Sequence, residues 1–308
     1  MRKYWIVGAV VAASLGLSAC GSSPATINST VSSLTSSPDV EVNLSASASG
    51  PGTAAAQKYL SAISVEATLV NPSGGNLSQA TSLDTEVVVN VGTSALLDLR
   101  TVGGNIYGEI DLTALQGISG LSISSNELNA ANALLGGRWF ELTKSLLNSY
   151  LKSESTKLRQ QGVTPPPAAK EVQDANAIET ALTKFVETTP STTLSSGGFS
   201  ETASLEAFVQ AMWPTLESLE PSIAAEPTNV KGSYTLTLTT SGTTATGGSV
   251  SITAPSAAGN VTVGLQATVT HNGATVVAPT NPTVLTKSVI QGLLSDALGS
   301  AIPTVSTS

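Results

Sequence analysis

Residues 39–48 constrain the fold of this chain most strongly, because apolar and polar side chains alternate there without a break. The apolar positions are Val40, Val42, Leu44, Ala46 and Ala48. Acidic, amide or hydroxyl side chains occupy the positions between them. A period of two residues indicates a β-strand with one face in a core and the other in water. The segment therefore predicts a sheet with one apolar face.

Two groups of later segments repeat this alternation. We predict strands at 64–70, 83–91, 95–102 and 105–111, and again at 231–239, 249–254 and 261–270. The connection Gly103-Gly104 is a two-residue loop of the kind that tolerates positive φ at both positions. A loop this short joins antiparallel neighbours, so the first group is predicted to form a curled antiparallel meander.

Helical patterns separate the two groups of strands. A block over 142–220 carries apolar stripes at helical spacing and is interrupted by Pro165-Pro166-Pro167. Its last stripe contains Pro214, which lacks a backbone donor, so we expect that helix to bend or break at 210–213. We also predict helices at 27–34, at 126–135 and from Asn281-Pro282 onward, a loop at 191–204, and a loop or helical turn at 53–60. Because strands and helices are grouped, the predicted fold class is α+β with helices on one face of the sheet.

The N-terminus carries the clearest targeting signal. Arg2 and Lys3 precede the apolar run 5–17, which is too short to span a bilayer of about 30 Å as a stable helix. The run ends in Leu17-Ser18-Ala19-Cys20-Gly21, which resembles the bacterial lipobox. That resemblance implies a thioether-linked diacylglycerol on Cys20, cleavage before this residue, and attachment to the extracytoplasmic face of the cell membrane.

The chain is therefore expected to have one folded domain after a short anchor. The predicted segments are a lipoprotein signal peptide at 1–19, a lipidated tether at 20–25, a single α+β domain at 26–302 and a disordered tail at 303–308. Cys20 is the only cysteine, so no intrachain disulfide is available. A formal net charge of −8 argues against nucleic acid as a partner.

Few residues of the sequence are candidates for catalysis or for metal binding. His271 is the only histidine, and His271-Asn272-Gly273 is typical of a turn. Zinc requires three or four nitrogen or sulfur ligands, which one histidine and a lipidated cysteine do not supply. The pairs Asp84/Glu86 and Glu109/Asp111 each share one strand face and are interpreted as solvated positions. We therefore expect no enzyme activity, no metal and no cofactor.

A family resemblance rests on a few motifs distributed along the chain. They are the lipobox, Val40-Glu41-Val42-Asn43-Leu44, Arg138-Trp139 and Gly273-Ala274-Thr275-Val276-Val277-Ala278-Pro279. With these motifs the chain resembles the LppX/LprG/LprA-type actinobacterial lipoproteins, which are similar to LolA-like lipoprotein carriers. The resemblance implies a half-barrel sheet whose concave apolar face is covered by helices and encloses a cavity for a lipid or lipoglycan.

Two functions remain open at this point. The first is lipid binding, with a cavity lined by Val87, Val89, Val91, Leu205, Phe208, Met212 and Leu216. The second is a structural or interaction lipoprotein of the same fold with a filled core and an unknown protein partner. Trp139 and Trp213 are compatible with either function, as pocket lining or as core. An apolar strand face has the same pattern whether it packs on side chains or on lipid, so the sequence does not separate them.

Overall fold

The computed structural model describes most of the chain between Ser33 and Val289. The described residues are 33–118, 128, 132, 136–146, 149, 174, 177, 178, 180–182, 184–186, 188–219, 225–271, 273–286 and 289. Cys20, the signal segment, the C-terminal tail and much of the predicted block 142–220 lie outside them, as do most of the helices predicted at 27–34 and 126–135.

The described part is a mixed α+β protein dominated by one sheet. Its strands are β1 (Asp39–Ser49), β2 (Ile63–Val70), β3 (Asp84–Val91), β4 (Ser94–Val102), β5 (Asn105–Ile110), β6 (Phe140–Leu142), β7 (Ser191–Thr193), β8 (Gly198–Ser204), β9 (Ser233–Ser241), β10 (Thr244–Ser256), β11 (Gly259–His271) and β12 (Thr283–Val284). The order in the 12-stranded sheet is β12-β6-β5-β4-β3-β2-β1-β11-β10-β9-β8-β7. The two end strands do not pair with each other, so this large curled sheet is not closed.

The sheet consists of two antiparallel meanders joined at β1. In the first, β1 to β6 follow one another in sequence order, and the predicted strands in this region are confirmed to within a few residues. Gly103 and Gly104 have φ of 59° and 87°, as the tight turn between β4 and β5 requires. The second meander is joined to the first by the antiparallel pair β1–β11, in which Val42 lies opposite Val269.

Two segments differ from the prediction. Residues 191–204 are not a loop, because β7 and β8 lie there and β8 pairs along its full length with β9. Asn281-Pro282 does not start a helix, because Thr283 and Val284 pair in parallel with β6. In both places backbone pairing to a distant strand overrides the local signal for a loop or a helix cap.

Few helices have both ends described. They are α1 (Ala54–Leu60), α2 (Leu205–Leu219) and two 3₁₀ turns at Leu77–Gln79 and Leu112–Gly117. Helix α1 lies within residues 53–60, for which the sequence predicted either a loop or a helical turn. Helix α2 continues through Pro214, so the helix is not broken at 210–213, and the bend expected there as the alternative stays a prediction. Pro214 still has no N–H to donate to the carbonyl of Gln210.

The two faces of the sheet differ in chemistry. On the apolar face, buried side chains form three clusters. The central cluster contains Leu34, Val40, Val42, Ala67, Ala245, Ala267 and Val269. The aromatic cluster contains Phe185, Val186, Phe199, Tyr234, Leu236 and Leu238. The rim cluster contains Val91, Ala114 and Ile118.

The polar face of the first meander carries the charged side chains and a segment that we call the strap, residues 273–279. Both oxygens of the buried Asp39 carboxylate accept hydrogen bonds from the strap, one from the Gly273 N–H and one from the Ala274 N–H, each at 3.2 Å. Further along, Arg100 Nη1 donates to the Val277 carbonyl at 3.2 Å. These contacts hold the strap between β1 and β4.

Candidate functional site

Other segments do not cover the apolar face uniformly. The exposed aliphatic residues of β10 and β11 are the first element of the candidate site. Ile252, Val263 and Leu265 are 37%, 52% and 38% exposed. Ile252 lies opposite Val263 in the β10–β11 pair, and Leu265 is two residues further along β11 on the same face. We call these three residues the apolar stripe.

Strand register leads from the stripe into the aromatic cluster. Ile252 lies opposite Tyr234 of β9, so Val263, Ile252 and Tyr234 form one row across the sheet. Leu265 begins a second row, in which it is followed by Val250, Leu236 and Glu201 on successive strands. With neighbouring strands about 4.8 Å apart, the first row spans roughly 10 Å and the second roughly 14 Å.

Glu201 and Tyr234 are polar groups inside this otherwise apolar region. Each is only 2% exposed. Neither carboxyl oxygen of Glu201 has a hydrogen-bond partner among the described residues, and the same holds for the Tyr234 hydroxyl. Glu201 and Tyr234 lie on adjacent strands, diagonal to each other on the same face. We call them the buried polar pair.

Burial shifts the ionisation of both members of this pair. Loss of water around the carboxyl raises the pKa of Glu201 from its ordinary 4.5 to about 8. Burial and, to a smaller extent, the nearby Glu201 carboxyl raise the pKa of the Tyr234 hydroxyl. At neutral pH both groups are therefore mainly protonated, and each carries an O–H that can donate a hydrogen bond.

Aromatic rings pack on Tyr234, one member of the buried polar pair, on its helical side. The Phe208 ring stacks on Tyr234 with centroids 4.7 Å apart and planes at 6°. Phe185 contacts both rings edge to face, with centroids 5.3 Å from Phe208 and 5.9 Å from Tyr234. Phe208 comes from α2 and Phe185 from the helical residues between 174 and 188. These two helical segments therefore form the cover over Tyr234.

A groove of about 760 Å³ runs between the same two helical segments. Its lining comprises Ala177, Thr180, Ala181, Lys184, Phe185, Thr188, Gln210, Ala211, Pro214 and Thr215. Phe185 belongs both to this lining and to the aromatic cluster, so its ring lies between the groove and Tyr234. Volumes of 300–1,000 Å³ are typical of small-molecule sites, although this lining is more polar than that of an acyl-chain pocket.

The residues predicted to line a cavity all lie on β3 or α2, but they pack in different places. Val87 packs against the central cluster, Val91 belongs to the rim cluster and Phe208 packs against the aromatic cluster. Met212 is buried, while Val89, Leu205 and Leu216 are half-buried. The groove described above is lined by residues of α2 but by none of β3. A common cavity for these residues remains a prediction.

The polar face contains an arginine site on β4. The Arg100 guanidinium makes ion pairs with Glu86 at 2.8 Å and Asp98 at 2.9 Å. Its Cζ lies 4.7 Å from the centre of the Trp139 ring, which is a cation–π contact. Burial raises the pKa of Glu86, and the Arg100 charge opposes that shift. Arg100 thus acts as the counter-ion for this group of carboxylates.

The acidic pairs singled out in the sequence have separate structural roles. Asp84 accepts a hydrogen bond from the Gly103 N–H at 3.0 Å. Asp111 accepts from the Thr113 N–H at 2.9 Å, and the Thr113 hydrogen bonds lower its pKa. Burial, and then the Asp98 charge, raise the pKa of Glu109. Among the residues that the structure describes, no group of His, Cys, Asp or Glu has the arrangement of a metal site.

His271 ends β11, where its ring is held from both sides. Its Nδ1 lies 3.2 Å from Ser37 Oγ and its Nε2 lies 3.0 Å from the Ala245 carbonyl oxygen. The carbonyl accepts only, so Nε2 donates to it, while the Ser37 hydroxyl that contacts Nδ1 donates its own proton to the Asp39 backbone carbonyl. The nearby Asp39 carboxylate accepts from the strap and makes no hydrogen bond to the imidazole. The ring therefore connects the residues before β1 with β10 and β11, in the manner of a structural histidine.

The sequence matches no family model, and no curated protein matches it. In the part of the chain that is described, no helix has the length and apolar character needed to cross a bilayer. The function is therefore inferred from the geometry of the apolar face and from the N-terminal motif.

The buried polar pair was not predicted from the sequence. In β8 the inward-facing residues are Phe199, Glu201 and Ala203, so a glutamate occupies the middle of the apolar alternation. One signal was available. Gly197-Gly198 followed by alternating residues is a pattern of hairpin entry, and Gly198 adopts φ of 95° with no room for a Cβ beside the Leu238 carbonyl.

Proposed function

We propose that this chain is a lipoprotein anchored through acylated Cys20 to the extracytoplasmic face of the cell membrane, and that it binds an acyl-chain lipid against the apolar face of its sheet. The observation that carries the proposal is the apolar stripe. Three neighbouring aliphatic side chains are exposed together on the face that also carries the central and aromatic clusters. Covering them with an acyl chain is favourable by about 25 cal/mol per Å² of apolar surface removed from water.

The chemistry of the stripe favours lipid over a protein partner. Protein interfaces concentrate their binding energy in Trp, Tyr and Arg side chains. Ile252, Val263 and Leu265 are all aliphatic, and they form one strip across adjacent strands. An acyl chain matches such a strip in shape and polarity and requires no hydrogen bonds.

The hydrogen bonds of the single histidine support binding without catalysis. Both ring nitrogens of His271 already have partners, Ser37 on one side and a backbone carbonyl on the other. In a serine-hydrolase site the serine beside such a histidine gives its proton to the imidazole, whereas the Ser37 hydroxyl donates to the Asp39 backbone carbonyl. We therefore infer that binding, without turnover, is the activity of this protein.

A second candidate function is a structural or interaction lipoprotein with a filled core. The packing of Val87, Val91 and Phe208 into separate clusters of protein side chains favours it. Mass spectrometry of organic extracts from purified, non-acylated protein distinguishes the two. Co-purifying lipid supports the carrier, whereas lipid-free protein that takes up no fluorescent acyl probe supports the structural function.

A charge placed in the apolar stripe gives a sharper test. Val263→Asp puts a carboxylate beside Ile252, and we expect it to reduce bound lipid strongly. Gln266→Asp is the matched control, because this exposed residue lies on the same strand and its side chain points to the opposite face. Equal loss of lipid in both variants, or no loss in either, contradicts binding at the stripe.

A further inference from the structure

We propose that Glu201 and Tyr234 form a polar subsite at the inner end of the apolar stripe, and that this subsite recognises a hydroxyl group on an otherwise apolar acyl-chain ligand. The inference rests on the proposed function and goes beyond it by naming the chemical class of the ligand. Its basis is the coincidence of three buried, unpartnered polar atoms with the end of an exposed apolar surface.

The position of the pair fits a ligand that enters along the stripe. Tyr234 is next to Ile252 in the row that begins at Val263, and Glu201 ends the row that begins at Leu265. Both rows are apolar up to those two residues. A chain lying on the stripe therefore meets its first described polar side chains on this face of β8 and β9 at the buried polar pair.

The hydrogen-bonding capacity of the pair selects a hydroxyl. A protonated carboxyl offers one donor and one free acceptor oxygen, and a tyrosine hydroxyl offers a donor and an acceptor. A ligand hydroxyl also donates and accepts, so it can satisfy one group of each kind. A methyl or ether group leaves at least one of the buried groups without a partner.

Charge selects against ionic ligands. Tyr234 packs among the rings of Phe185 and Phe208, and Glu201 lies opposite Leu236, between Phe199 and Ala203 on its own face of β8. In such surroundings an ion is poorly solvated, and the raised pKa of Glu201 shows that the carboxyl itself resists ionisation. A neutral hydroxyl brings no charge into this environment.

A packing role does not account for the pair. A buried carboxyl without partners destabilises a folded protein, and an apolar side chain of similar size removes that cost. Unpartnered buried polar atoms in a native protein therefore point to a bound group that the protein alone does not supply.

The test compares two isomeric ligands, dodecanol and methyl undecyl ether, which have the same atoms and differ in one hydroxyl. Their affinities are measured by displacement of a neutral fluorescent acyl probe from the full chain carrying Cys20→Ala, which has no acyl groups of its own. We expect the alcohol to bind roughly tenfold more tightly than the ether. Glu201→Leu should abolish this preference, and Glu201→Gln should keep most of it, because an amide also donates and accepts.

Matched controls and a second variant make the outcome decisive. Glu217→Gln, on the exposed side of α2, and Tyr59→Phe, at an exposed tyrosine, should leave the preference unchanged. Tyr234→Phe should reduce it, which provides a test if Glu201→Leu does not fold. Equal binding of the two isomers by the Cys20→Ala chain, or the same preference after Glu201→Leu, overturns the subsite while lipid binding stands. Failure of both isomers and of the probe to bind overturns the proposed function as well.

Discussion

Replacing Glu201 by glutamine should make the stability of the lipid-free protein less dependent on pH. In the folded chain the Glu201 carboxyl keeps its proton up to about pH 8, whereas in the unfolded chain it loses the proton near its ordinary 4.5. Between these values the folded state binds more protons, so the free energy of unfolding falls as the pH rises. Glu201 contributes most to the free energy of unfolding below pH 4.5, and this contribution is lost progressively as the pH rises to about 8.

The magnitude follows from the difference between the two pKa values. Each pKa unit corresponds to about 1.4 kcal/mol, so the change from 4.5 to about 8 amounts to at most roughly 4 to 5 kcal/mol over the whole range. The steepest slope that one proton can produce is about 1.4 kcal/mol per pH unit. Glutamine has nearly the shape of glutamate and does not titrate, so Glu201→Gln should remove this slope.

Urea unfolding at several pH values between about 5 and 8 measures the effect, because each midpoint and slope gives one free energy of unfolding. Glu66, Glu86 and Glu109 also have pKa values raised by burial, and they add a slope of the same sign to both proteins. The difference between the two proteins therefore isolates Glu201, with Glu217→Gln as control. Identical slopes for the original chain and Glu201→Gln refute the reasoning, since Glu201 would then ionise as an ordinary exposed carboxyl.

Four further substitutions test other parts of the account. Cys20→Ala should move the protein from the membrane fraction to the soluble or unprocessed pool, and a processed, lipid-bearing variant in the membrane would show that the anchor is elsewhere. His271→Ala should leave lipid binding intact, and neither the original chain nor this variant should hydrolyse ester, peptide or glycoside substrates. A turnover that is measured in the original chain and lost in the variant, with an unchanged circular dichroism spectrum, contradicts this prediction. Val89→Trp tests the cavity predicted between β3 and α2, separately from the stripe: a lipid-filled cavity predicts less bound lipid at a cost of about 1–3 kcal/mol of stability, whereas outright unfolding, with no lipid in the original chain, argues for a packed core. Asp39→Ala should cost about 1–3 kcal/mol, because two strap N–H groups lose their acceptor; an unchanged urea midpoint would mean that the strap is not held there.

Local patterns predicted the strands well where one face is apolar and the turn chemistry is explicit. The alternation from Val40 to Ala48 and the Gly103-Gly104 turn each appear as expected. The pairing of β1 with β11 joins residues that are more than 200 positions apart, such as Val42 and Val269. No local pattern encodes a pairing of that kind, because it depends on which strand edges remain unpaired after the hairpins form.

The limits of sequence reading are clearest on β11. Leu265, Ala267 and Val269 alternate in one regular pattern, yet Ala267 and Val269 are buried in the central cluster while Leu265 is exposed. Exposure at these positions depends on which other segments cover the sheet, and this is not a property of the strand itself. Residues of one alternating pattern therefore belong to the core at one end of β11 and to the candidate binding surface at the other.

Glu201 is the point at which the failed prediction and the candidate site coincide. Residues 191–204 were predicted as a loop from their Ser, Thr and Gly content, and the strand β8 that they form instead carries Glu201, whose carboxyl is buried and unpartnered. A sequence that violates its own local pattern is expected to do so at functional sites. Stability and recognition make opposite demands at this position. Glu201→Leu should raise the urea midpoint of the lipid-free protein and at the same time abolish the preference for an alcohol over its isomeric ether. A residue needed only for packing would lower the midpoint when replaced, and a surface residue would change neither quantity.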